Sequence, residues 1–319
     1  MMLDSSPGQL AISTKNLTKR YGTITALDDL TLNVPQGKIY GFLGPNGAGK
    51  TTTIKLLMGF IKPTHGEAIM LGRETWRHGV DARADLGFLV QPDSLFTDMT
   101  GNAHLVFAEQ LSGRKSVLRQ RLLDALELSP SALKRRLGSY SKGMRQKLAL
   151  IAAIQHDPAL LILDEPTDGL DPLIQRNFEE ILHELNSRGS TIFMSSHDLS
   201  EVERTCELVA VVRGGKLVAE ETVAGLKRLH RRRATVNFAD TPPAAIHIVE
   251  GAHVIEVDGN AVTFLIEKDV NPLLRFVLNL GINDFTLSPP SLDDIFMGFY
   301  DTTDAELLPP QSSGRHTTV

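Results

Sequence analysis

The alternation of apolar and polar residues changes period several times along the chain. From Ile12 to about Asn33, the runs AISTKNLTK and ITALDDLTLNV alternate with a period near two. That period predicts twisted antiparallel strands joined by polar turns. KIYGFLGPNGAGKTTTIKLLMG then reads as a buried strand, a glycine-rich loop and a helix. Between about Asp93 and Leu137 the period becomes helical, as in NAHLVFAEQL and SVLRQRLLDALEL, with apolar residues at i, i+3 and i+4. PALLILDE and STIFMSSH read as buried strands on either side of the helix PLIQRNFEEILHELNSRG. Strands alternating with helices imply parallel β-α-β units and an α/β core. LVAVVRGGKLVAEE closes this part as a hairpin turning at Gly214-Gly215.

Near Leu226 the character shifts. LKRLHRRRA carries dense positive charge from Lys227 to Arg233. The run could face anionic lipid or acidic partners, or be a solvated linker helix. Beyond it, ATVNF, HVIEVDGNAVTFLIE and DFTLSPP read as strands, and NPLLRFVLNLG and SLDDIFMGFY as helices. The expected organisation is a flexible N-terminus over 1–10 and an α/β domain over 11–228, with helical residues at about 92–145. A small α+β domain follows over 229–303, then a polar, disordered tail over 304–319.

Composition narrows the class. The 319 residues are 42% hydrophobic and 22% charged, enough for two domains with a sizeable core. The net charge of -5 argues against a protein that coats nucleic acid, so no nucleic-acid partner is expected. A single cysteine, Cys206, allows no intrachain disulfide and reads as a small helix residue. The start MMLDSSPGQL lacks the pattern of a secretory signal, and no apolar run approaches the roughly 18 residues of a membrane span. Membrane association is therefore expected only through a partner.

The chemistry concentrates in a few segments. Gly44-Pro45-Asn46-Gly47-Ala48-Gly49-Lys50-Thr51-Thr52 fits G-x-x-x-x-G-K-[ST] between a strand and a helix. The glycines let backbone N–H groups converge into a nest for phosphate oxygens, and the helix N-terminus adds partial positive charge. Lys50 would reach the β- and γ-phosphates, and the Thr51 hydroxyl would sit on Mg²⁺. The apolar strand LLILDEP ends in two acids. Asp164 is placed to hold Mg²⁺, and Glu165 to polarise the water that attacks the γ-phosphate. These segments specify a P-loop nucleotide-binding protein, and kinases and GTPases would share them.

The segment between and after them decides the class. YSKGMRQK, Tyr140 to Lys147, resembles the signature motif of ABC ATPases. The resemblance implies a P-loop NTPase core with an antiparallel β subdomain and a helical subdomain, plus the small C-terminal α+β domain. It implies that Ser141 and Gly143 contact the γ-phosphate held by a second copy of the domain. Lys142 and Met144 depart from the commonest spelling of the motif, a variant similar to one in transport ATPases with separate membrane subunits. Gln91 resembles the glutamine that reports Mg²⁺ and γ-phosphate occupancy, although Pro92 replaces the usual acid after it. In GLDP, Asp171 resembles the aspartate that links the two nucleotide sites. His197 resembles the switch histidine at the γ-phosphate, and Tyr21, before the first antiparallel hairpin, the aromatic that stacks on adenine. His65, His104 and His156 show no metal-ligand spacing and carry no assigned role.

The resemblance implies an ATPase, with ATP and Mg²⁺, that forms a homodimer around two ATP molecules. It would drive transport through a separate integral membrane permease at the cytoplasmic face of the membrane. SPPSLDDIFMGFY is similar to the close of the accessory domain on prokaryotic exporter-type ATPase subunits, which leans the direction to export. Translation factors of the family carry two ATPase domains, and no internal repeat stands here. Repair ATPases insert a long coiled coil between the motifs, for which the helical stretch is too short. A small-molecule kinase would lack the signature, the acid pair and His197 in this order.

Overall fold

The computed structural model describes residues 10–225, 232–243, 246, 249–266, 269–278 and 280–288. The chain divides into two compact units, Met1–Val223 and Ala224–Val319. The basic residues 227–231, the segment 289–300 and the tail 304–319 lie outside the described residues.

In the first unit, β1 (Leu10–Tyr21) and β2 (Ile24–Pro35) form a long antiparallel hairpin. Four register shifts bend this hairpin, as bulges do. Tyr21 is the last residue of β1 and pairs with Ile24, so it lies within the hairpin and not before it. β4 (His65–Met70) and β5 (Arg73–Glu74) extend this sheet in the order β2-β1-β4-β5.

A second sheet has the order β10-β9-β3-β8-β7-β6. Its strands are β3 (Ile39–Leu43), β6 (Leu86–Phe88), β7 (Leu160–Asp164), β8 (Thr191–Ser196), β9 (Leu208–Arg213) and β10 (Lys216–Thr222). All neighbours are parallel except the edge pair β9–β10. The first four residues of β7 and all of β3 and β8 are buried, as strands covered on both faces must be. Tyr40, Phe42 and Phe193 stack across β3 and β8 and join the core with Leu160, Ile162 and Ala210.

The helices of this unit are α1 (Lys50–Leu57), α2 (Gly79–Ala82), α3 (Gly101–Ser112), α4 (Arg119–Ala125), α5 (Pro130–Leu133), α6 (Lys142–Ile154), α7 (Pro172–Ser187) and α8 (Leu199–Thr205). α7 shows how sequence sets an element. Asp171 caps it through Ile174 N, Pro172 occupies the first turn, and Ile174, Phe178, Ile181, Leu182 and Leu185 form its buried stripe. Cys206 is the residue that ends α8 and not a helix residue, and its thiol is buried. No helix among the described residues is long and apolar enough to cross a membrane.

The second unit contains an antiparallel sheet of β11 (Arg232–Phe238), β12 (Ala252–Asp258), β13 (Ala261–Ile266) and β14 (Ile282–Ser288), in the order β12-β13-β11-β14. Val236, Phe238, Val262, Phe264 and Ile266 on one face pack with Leu273 and Val277 of the helix Asn271–Val277. This is the α+β pattern of a sheet with a helix against it.

Candidate functional site

β3, β7 and β8 lie side by side in parallel, so the segments that leave their C-terminal ends converge. Ligands of open α/β sheets bind at that edge. The segment after β3 is the glycine-rich loop. A Cβ on Gly44 would stand 2.4 Å from Val212 O, and one on Gly49 2.8 Å from Ala26 O. Gly49 also holds φ 106° as the residue before α1, with no side chain capping the helix. Backbone packing therefore demands glycine at both places. The first N–H groups of α1 are left without a side-chain acceptor, the arrangement that suits an anion.

Lys50 is 6% exposed. Its Nζ donates to Gly44 O at 2.5 Å and lies 3.1 Å from Glu165 Oε1. The Thr51 hydroxyl donates to Asp164 Oδ2 at 3.0 Å, and the Ser195 hydroxyl donates to Asp164 Oδ1 at 2.6 Å. Both oxygens of Asp164 are thus directed by β8 and α1. Glu165 follows at the strand tip with φ 49°, a left-handed conformation that is uncommon for a non-glycine residue. Its N–H is held by Ser195, both by the hydroxyl at 3.1 Å and by the carbonyl. Its Oε2 lies 2.7 Å from His197 Nδ1. The turn therefore places the Glu165 carboxylate between a buried ammonium and an exposed imidazole.

The structure thus brings Lys50, Thr51, Asp164, Glu165 and His197 into one network. Ser195 belongs to it too, although nothing in the motif marks it out. Gln91 stands outside. It is exposed, its carbonyl accepts from Ser94, and its amide forms no hydrogen bond with another described residue. Tyr21 is 47% exposed, with Lys19 Nζ 5.0 Å from its ring centroid. No cluster of three or more His, Cys, Asp or Glu able to hold a metal occurs among the described residues.

The signature segment is built differently. Ser141 caps α6 by accepting from Met144 N at 3.2 Å. A Cβ on Gly143 would stand 2.8 Å from Gly169 O, so this glycine is needed for close backbone approach. Gln146 Nε2 donates to Pro166 O at 2.5 Å, and Lys142 Nζ pairs with Asp168 Oδ2 at 2.7 Å. α6 is therefore tied to the segment that follows Glu165. Asp171 spends its carboxylate on capping α7.

Residues 27–168 match the sequence profile of the family described as ABC transporter. The bacitracin transport ATP-binding protein BcrA of Bacillus licheniformis is 34% identical over 295 residues, covering 90% of this chain and 96% of that protein. The chain belongs to the ABC transporter family. It is an ATP-binding, ATP-hydrolysing subunit of that family. The lantibiotic transport ATP-binding protein SrtF of Streptococcus pyogenes is 36% identical over 215 residues, 67% of this ABC subunit and 92% of the relative. Among solved structures, the dimeric post-hydrolysis state of an ATP-binding cassette bound to ADP and Pi superposes with a TM-score of 0.58 at 26% identity. It covers 66% of this chain and 98% of that one.

One buried ionisable group, Glu201, lies beside the network, and two buried histidines lie elsewhere in the unit. Glu201, in the first turn of α8, is 2% exposed, and burial pushes its carboxyl up to about 7. His104 and His156 are buried and their pKa values are lowered by desolvation, which favours neutral imidazoles.

Proposed function

We propose that two copies of this subunit close around two ATP molecules and drive export of a substrate through a separate membrane permease. The observation that carries this reading is the Glu165 carboxylate, set between Lys50 and His197 beside the Thr51–Asp164 pair.

In this reading the triphosphate lies in the loop Gly44–Thr52, with Asn46, Gly47 and Ala48 lining it. Phosphate oxygens exchange with Gly44 O as partners of Lys50. Tyr21 stacks on the adenine. The hydroxyl of Thr51 and the carboxylate of Asp164 are hard oxygen donors of the kind Mg²⁺ prefers, and Gln91 would complete the set. The ion, when bound, neutralises charge on the phosphate oxygens. Glu165 accepts a proton from the attacking water, and His197 holds the γ-phosphate side of the site. Ser141 and Gly143 of one copy approach the γ-phosphate on the other, with Asp171 between the two sites.

Each chain holds one phosphate loop and one signature, so two-fold pairing makes two equivalent composite sites. ATP closes the pair, and hydrolysis with phosphate release reopens it. The relatives named for bacitracin and lantibiotic transport support a cargo of that kind. The cytoplasmic face of the membrane is the corresponding location.

The test is to purify the chain from detergent-solubilised membranes and measure ATP turnover before and after chelation of divalent ions. A multispan membrane protein in stoichiometric amount, with turnover that stops on chelation, is the expected result. Ribosomes or DNA complexes in its place would overturn the transport reading. Turnover unaffected by chelation would overturn the assignment of Thr51 and Asp164.

A further inference from the structure

Glu201 occupies the third position of α8, three residues after its cap Asp198. An acid there commonly reaches back to the N–H of the cap residue. Here Ser196 intervenes. Its Oγ accepts from Asp198 N at 2.9 Å and lies 2.6 Å from Glu201 Oε2. The same hydroxyl also lies 3.3 Å from Asp198 O. Residues 196–198 are the segment that presents His197 to Glu165, so the carboxyl of Glu201 sits directly beneath the switch segment.

The second carboxyl oxygen, Oε1, is buried without a hydrogen bond of normal geometry. Thr167 nevertheless lies close enough to favour the charged form. Thr167 stands in the segment 166–169 that Gln146 and Gly143 of α6 contact. Glu201 therefore bonds to the segment that leaves β8 and lies near the segment that leaves β7. An unpaired buried oxygen is costly, and helix capping alone does not require it, because Asp198 already caps α8 through Ser200 N and Glu201 N.

We propose that Glu201 is a positioning residue for hydrolysis, which fixes the His197 segment through Ser196. This inference rests on the reading of Glu165 and His197 as the hydrolytic pair.

The hydroxyl of Ser196 has one proton. When Glu201 is ionised, that proton goes to Oε2 in a charge-assisted bond, and the segment is held firmly. When Glu201 is protonated, the carboxyl becomes the donor and the Ser196 proton turns to the longer contact with Asp198 O. Charge-assisted bonds are about twice as strong as neutral ones, so the ionised form is the better clamp. Burial above all, opposed by Ser196 and Thr167 and aided by the charges of Asp198 and Glu165, leaves the Glu201 pKa raised to about 7. Arg204, paired with Glu179, and the buried Cys206 are the other titratable groups it feels. The switch between clamps therefore falls near neutral pH.

The experiment compares ATP turnover of the parent chain with that of Glu201→Gln from pH 5.5 to 8.5, taking the ratio of kcat values so that other titrating groups cancel. The amide imitates the protonated clamp at every pH. The ratio is expected to rise from near one at low pH to about fivefold at high pH, with KM for ATP unchanged. Ser196→Ala should flatten the parent profile in the same way, and the double variant should add nothing further. A ratio that is constant with pH, or equal effects on kcat and KM, would overturn the proposal. If His197→Ala leaves the parent kcat unchanged, it is the underlying hydrolytic reading that fails, which separates the two outcomes.

Discussion

In the turn Gly44–Thr52 the helix that follows has no side-chain cap, whereas in Tyr140–Lys147 the Ser141 hydroxyl already occupies a donor of α6. Both are loops that feed a helix, and both use glycine where backbone comes close. Their side chains differ in where the chemistry is completed. Lys50 and Thr51 find Glu165 and Asp164 within the same chain. Ser141 is exposed, and its neighbours Gly143, Lys142 and Gln146 are engaged with segment 166–169. The phosphate loop meets its acids within one chain and leaves the first N–H groups of α1 open to an anion, whereas the signature segment is braced by segment 166–169 and exposes Ser141. That difference suits the proposed pairing of two copies around shared nucleotides.

The sharpest break of the comparison is Glu165→Gln. Removing the proposed general base should lower kcat by about 10²- to 10⁴-fold and leave ATP affinity intact. Near-parent turnover in a phosphate-release assay would mean that another group takes the proton. Lys50→Ala should weaken nucleotide binding by about ten- to a hundredfold, the worth of a charge-assisted bond. Titration calorimetry reads this, and unaltered affinity would remove Lys50 from the site. Ser141→Ala should cost about 1 kcal/mol of stability through the lost cap. It should also lower turnover while leaving single-chain ATP affinity unchanged, which a defect in the phosphate loop would not do. Lys142→Ala is the mildest. Its pair with Asp168 is more than half exposed on both sides, so urea denaturation should shift by under about 1 kcal/mol. A larger shift would show that the lysine braces segment 166–169 more than its exposure implies.

Much of the network was legible because its residues sit at fixed offsets from strand ends. A buried strand followed by GPNGAGKTT, and another ending in Asp164-Glu165, place those groups at the same C-terminal edge of a parallel sheet, here at the tips of β3 and β7 with β8 between them. Ser195 was not legible, because a serine at the end of an apolar strand has no distinguishing spacing. Its importance appears only once β8 lies beside β7. Glu201 left a faint trace in the spacing Asp198-x-x-Glu201, which is a capping pattern, but its burial could not be read from that. β4 escaped the pattern for a physical reason: three of the six residues in HGEAIM are exposed in a row, so no alternation shows.

The most direct measurement is the mass of the Glu165→Gln chain in solution with ATP and Mg²⁺, by light scattering coupled to size exclusion. Two chains held together for as long as ATP remains, reverting to one chain with ADP, is the result predicted by nucleotide shared between copies. A chain that binds ATP and stays single at every concentration would contradict it.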